Sequence, residues 1–141
     1  MSNEAVIFAG LQITNGDFRV PIGISSFFGN VTGKKGPCPG AFSVSVLGTL
    51  VDFSELTTPG YAMIRNLDPT NFVEYGAWEP STGKFYPIAE ILPGEFYPLR
   101  LSRHLGSEYG TAGTGATGGG NYLMIRADTT ACNVSVEANE T

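Results

Sequence analysis

The sequence predicts an all-β chain folded as a single antiparallel β-sandwich of about eight strands, with jelly-roll-like connections. Three observations point there. Apolar and polar residues alternate with a period of two, most cleanly in Phe42-Ser-Val44-Ser-Val46 and Cys132-Asn-Val134-Ser-Val136-Glu137. Turn formers are abundant, 19 Gly and 9 Pro in 141 residues, and they cluster between the apolar runs. No window of useful length carries the spacing of an amphipathic helix. The length fits one domain spanning residues 1–141. Area scaling for this mass gives a folded surface of roughly 7,000 Å² against about 21,600 Å² unfolded, so one sizeable core can form without disulfides or metals.

Taken in order, Ala5–Thr14 is an apolar segment, one strand or an extended arm, with residues 1–14 forming the N-terminal arm or strand. Phe18–Ile24 is a second strand, in which Pro21 marks an edge or a bulge. Ser25–Gly40, with its glycines, Lys34-Lys35 and two prolines, reads as a surface loop, and Cys38 sits there in a rigid Pro37-Cys38-Pro39 turn. Phe42–Val46 is a half-buried strand, and Leu50–Phe53 extends it past a bend at Gly48. Tyr61–Leu67 and Phe72–Trp78 flank Asp68-Pro69-Thr70-Asn71. Asp at the first turn position accepts a backbone hydrogen bond, and Pro at the second already has the φ of a type I turn. The segment therefore reads as a hairpin. Both of its faces are apolar, whereas a hairpin with one wet face alternates cleanly. It is expected to pack on its own core on one side and on another element or subunit on the other.

Lys84–Leu92 follows through the Pro80–Gly83 turn, and Pro93-Gly94 leads into Glu95–Ser102. Tyr97, Leu99 and Leu101 face one way there, and Phe96, Pro98 and Arg100 the other. Gly106–Asn121 holds seven glycines and a single charge, Glu108. That composition suits a mobile outer loop, or docking into a neighbouring subunit. Tyr122–Ala127 and Ala131–Ala138 close the domain, with Cys132, Val134 and Val136 inward.

Charge excludes several functions. The net charge is −5, and only 15% of residues are charged. Nucleic-acid binding rests on Lys and Arg neutralising phosphates, and no basic stripe is present. Met1-Ser-Asn-Glu-Ala has no basic leader, and no run approaches the ~20 apolar residues of a membrane span. The chain is therefore expected to be made and first folded in a cytoplasm, with no membrane or nucleic-acid partner. Low charge also suggests that part of the outer surface is not meant for water.

The chemistry-bearing residues are sparse. Cys38 and Cys132 are the only cysteines, and His104 is the only histidine. A reducing cytoplasm favours free thiols over a bridge, and two Cys with one His fall short of a zinc site. His104 stands beside Arg100 and Arg103 with no Ser/Asp arrangement to orient it. Gly113-Thr-Gly115-Ala-Thr-Gly118 has dinucleotide-fingerprint spacing, but the glycines lead into a strand rather than a helix N-terminus. No catalytic, cofactor or metal residue is expected. Arg65 and Arg100 interrupt apolar strand faces, either as snorkelling stems or as subunit-interface anchors. Tyr61, Phe72, Trp78, Tyr86 and Tyr97 are core rings or contact residues. These seven are the candidate interface.

Gly48-Thr49, Leu56–Gly76 with its Arg65-Asn-Leu-Asp-Pro-Thr-Asn71-Phe run, Leu92–Leu101 and Leu123–Val134 resemble a group of small tailed-bacteriophage virion-structural proteins. The resemblance covers roughly residues 48–138. The N-terminal third and the glycine loop depart from it. It implies a β-sandwich carried on the virion, assembled in the host bacterial cytoplasm, as a capsid decoration protein or part of the tail. The implied partners are the phage major capsid protein or tail proteins. Self-association is expected from the two-faced hairpin, with a trimer favoured. The competing expectation is a tail-associated or receptor-binding module that stacks sugars on exposed rings such as Tyr109 or Trp78.

Overall fold

A computed structural model of the chain describes residues 5–29, 31, 37–102, 105 and 122–140. Among these there is no helix. They form ten strands: β1 (Ala5–Asn15), β2 (Phe18–Gly29), β3 (Cys38–Val44), β4 (Thr49–Leu50), β5 (Pro59–Asn66), β6 (Val73–Glu79), β7 (Lys84–Ile91), β8 (Phe96–Arg100), β9 (Tyr122–Ala127) and β10 (Cys132–Glu140).

Eight of them make two four-stranded sheets, ordered β3-β10-β5-β8 and β4-β9-β6-β7, with every pair antiparallel. The pairs β6·β7, β5·β8, β4·β9 and β3·β10 are nested, so residues 38–140 amount to one long hairpin rolled into two layers. That is the jelly roll expected from the sequence, with two Greek-key windings. The hairpin closes at Glu79–Lys84, where the Gly83 amide donates to the Glu79 carbonyl at 2.9 Å and Gly83 takes a φ of 64°.

The core lies between the layers. Val44, Ala62, Ile64, Val134 and Val136 of one sheet meet Val73, Ile91, Leu123 and Ile125 of the other, while Val51, Leu56 and Leu101 join from the connections. The period-2 alternation of β10 has the orientation expected, with Cys132, Val134 and Val136 buried.

Asp68-Pro69 does not close a hairpin. β5 and β6 belong to different sheets, and residues 67–72 carry the chain from one layer to the other. The physical reason lies in the side chains. Asp68 Oδ1 accepts the amides of Thr70 and Asn71 at 2.8 and 2.7 Å, so the turn is satisfied locally and needs no cross-strand ladder. Buried Asn66 completes the corner: its Nδ2 donates to the carbonyls of Asn71 and Ile91, and its Oδ1 accepts from the Asp68 amide. Asn71 then reaches Thr129 and Thr130 in the β9–β10 connection. The run that carried the family resemblance is thus a corner clamp joining two sheet crossings.

Three other expectations change. Leu50–Phe53 does not extend the Phe42–Val46 strand: β4 covers only Thr49–Leu50 and pairs with β9 in the other sheet. Ser25–Gly29 belongs to β2 rather than to a loop, paired in register with Ala5–Ala9. Cys38 opens β3, buried, rather than sitting in a turn. β1 and β2 form a separate two-stranded ribbon that meets the sandwich near its base, where Gly29 lies against the Tyr61 ring so closely that a Cβ would collide with it.

Candidate functional site

The outward face of β5 and β8 is built from three cross-strand pairs: Tyr61 opposite Arg100, Met63 opposite Pro98, and Arg65 opposite Phe96. Directly opposed side chains lie close enough to interact. Here each guanidinium covers the ring of its own partner, with Arg100 4.6 Å from the Tyr61 centroid and Arg65 5.2 Å from that of Phe96. Such cation–π contacts contribute about 0.5–1 kcal/mol when exposed. They also hold the arginine heads over an otherwise apolar surface. Beside this face, a groove of about 560 Å³ runs to the base of the ribbon, walled by Val6, Phe8, Tyr61, Met63, Phe96 and Pro98.

Of the seven candidates, Tyr61, Arg65 and Arg100 come together here. The others do not. Tyr86 donates its hydroxyl to Glu79, which also accepts from Ser81 and Thr82; these bonds hold the Glu79 carboxyl below its usual range and clasp the β6–β7 turn. Tyr97 donates to Glu95, which pushes the phenol up; Glu95 in turn accepts the Leu92 amide across Pro93-Gly94. Phe72 is half-buried in the corner before β6. Trp78 lies on the opposite sheet, in a row with Phe85 and Tyr122. On that same face Arg126 pairs with Glu74 and reaches over Phe85 at 5.4 Å.

The sequence reading missed Phe96, Met63 and Pro98 as members of the first face, and Phe85 and Tyr122 as neighbours of Trp78. The parity of Phe96, Pro98 and Arg100 was legible. Their partner strand was not, because it depends on sheet order.

The thiols are poor nucleophiles. Burial, then nearby carboxylates, pushes both above the ordinary cysteine value, and each donates to a backbone carbonyl, Cys38 to Asp52 and Cys132 to Thr130. Both are free. Cys132 is paired with Val44, six residues along β3 from Cys38, which separates them by roughly 20 Å, far beyond bridging distance. A cavity of about 300 Å³ between Val51, Phe53, Leu56, Leu105 and Tyr122 holds one carboxylate, Asp52, already committed to the Ser54 amide. Among the described residues no three His, Cys, Asp or Glu side chains converge on a metal position. His104, Arg103, Lys34-Lys35, Tyr109 and the Gly106–Asn121 segment lie outside the described residues.

No family model, no curated protein and no solved structure matches the chain. The case for function therefore rests on the faces themselves.

Proposed function

We propose that this chain is a non-enzymatic structural protein of a tailed-bacteriophage virion, a decoration or cement protein that binds the major capsid protein and stabilises the particle. The observation that carries the reading is the open β5–β8 face, where Tyr61, Met63, Phe96 and Pro98 stand with Arg65 and Arg100 laid over the rings. Arginine and aromatic residues are enriched in protein–protein contacts and dominate their energetics. Binding to the assembled shell and not to dissociated subunits stabilises the shell by mass action.

The test is made on virions of the phage that encodes the chain. Quantitative mass spectrometry and cryo-electron microscopy are expected to find the protein in many copies on the head, and the pair Arg65→Glu and Arg100→Glu to abolish that occupancy while leaving the fold intact. Absence from purified virions overturns the reading. The row Phe85–Trp78–Tyr122 supports a second one, a tail-associated module that stacks host sugars on these rings. Binding of the isolated protein to a glycan array, lost in Trp78→Ala, would favour it.

A further inference from the structure

Proline and charge are distributed over the strand edges in a way that leaves one of them open. A strand at a sheet edge presents unpaired N–H and C=O groups, and proteins guard such edges with proline, charge, bulges or short length. Six described strands lie at edges. β3 carries Pro39, β7 Pro87, β8 Pro98 and β2 Pro21, while β4 is two residues long. β1 has none of these guards: Ala5-Val-Ile-Phe-Ala-Gly-Leu-Gln-Ile-Thr-Asn15 is eleven residues without a proline or a charge. From Phe8 to Asn15 every position is exposed, and Val6, Phe8, Leu11 and Ile13 are each between 43% and 64% accessible. A lone two-stranded ribbon is at best marginally stable in water, whereas three or more strands with an apolar face can stand.

We propose that β1 pairs antiparallel with β1 of a second copy of this chain across a two-fold axis, giving a four-stranded sheet ordered β2-β1-β1-β2. The occupant follows from the same distribution. Among the described edge strands only β1 is both long and free of proline, so a second β1 can pair along its whole length with no missing donor. Self-pairing also places no like charges opposite one another, since β1 has none. It keeps same-parity residues together, so Ile7, Leu11 and Ile13 of both copies line one continuous face. The other edge of the ribbon is unsuited, because Pro21 removes a donor and the register shifts between Ala9 and Leu11 place an extra residue on β2. Head-to-tail pairing of β1 with β2, which a ring of three would need, is therefore disfavoured. Pairing through this edge gives a dimer and not a ring.

Area sets its strength. An eleven-residue edge of about 36 Å by ~10 Å buries roughly 360 Å² per partner, under half of the ~800 Å² of a standard interface. The pairing is thus reversible and concentration-dependent. It is independent of the virion role, so either can fail alone.

Single cysteines placed along Val6–Thr14 provide the test, since Cys38 and Cys132 are buried and do not compete. A perpendicular two-fold sets one β1 residue opposite its own copy. Mild oxidation of the full chain should give disulfide-linked dimer at one position, falling away on both sides, while sedimentation equilibrium of the unmodified protein shows a monomer–dimer equilibrium. Leu11→Pro should shift that equilibrium to monomer with the thermal transition of the sandwich unchanged. A monomer at all concentrations, or a dimer without a self-crosslinking β1 position, or a dimer indifferent to Leu11→Pro, overturns the proposal.

Discussion

Asn66 and Asp68 show how two side chains decide where a strand ends. Asn66 is fully buried, yet its amide nitrogen has two carbonyl acceptors and its oxygen one amide donor. Removing a buried partner costs the desolvation of whatever it leaves unpaired, about 1–3 kcal/mol. Asn66→Ala is expected to lower unfolding stability by that amount in urea titration, and Asn66→Asp by more, since a carboxylate would face the carbonyls of Asn71 and Ile91. Asp68 makes a separate prediction. The Asn71 and Thr70 amides hold its carboxyl below the ordinary value of 3.8. Because the folded pKa is depressed, the contribution is complete above the unfolded value near 3.9 and is lost as pH falls through the folded pKa. The stability difference between the native protein and Asp68→Ala should therefore be largest near neutrality and shrink below about pH 4. A difference constant down to pH 2 would show that the charged form is not what matters.

At the scale of elements, glycine and proline placement explains much of the strand geometry. Gly76 sits at the β6–β7 register shift, where an added Cβ would collide with the Tyr86 carbonyl oxygen and come within 2.8 Å of Pro87 Cα. Backbone cannot rotate aside as a side chain can, so Gly76→Ala should cost about 1–3 kcal/mol, the range for overpacking, as a lowered urea midpoint. Gly83 meets only the far edge of the Trp78 ring at 4.0 Å. Its φ of 64° makes Gly83→Ala a smaller, conformational loss. These elements also mark what a sequence can tell. Alternation in β10 and the turn chemistry of Pro80–Gly83 and Pro93-Gly94 are local, and both were legible. The jelly-roll class followed from them. Whether the strands flanking a turn stay in one sheet is not local: Asp68-Pro69 and Pro80–Gly83 are both good turns, yet only the second joins paired strands. The candidate face was half-legible for the same reason. Parity put Arg100 with Phe96 and Arg65 with Tyr61 on their own strands, but only the β5–β8 pairing brought each arginine over a ring of the other.

The whole molecule couples a sandwich of distant pairings to a ribbon of near ones, and the two should differ in dynamics. β10 joins both β3 and β5, and β9 joins both β4 and β6, so closing the layers requires residues far apart in sequence to meet together. Sandwiches dominated by such contacts fold in milliseconds to seconds and open cooperatively. The ribbon is held by its own ladder, and among the described residues Gly29 meets the sandwich at the Tyr61 ring. Local opening free energies range from near zero for such elements up to the global value for central strands. Amides of β9 and β10 should therefore exchange with deuterium only through global unfolding, and those of β1 and β2 much faster in dilute protein. Self-pairing adds a second signature, because the outward amides of β1 gain partners only in the dimer. Raising the protein concentration should slow exchange in β1 strongly, in β2 less, and in β9 and β10 not at all. Equal slowing in every strand would mean that association stabilises the molecule globally. Unchanged exchange in β1 would mean that its edge stays open to water.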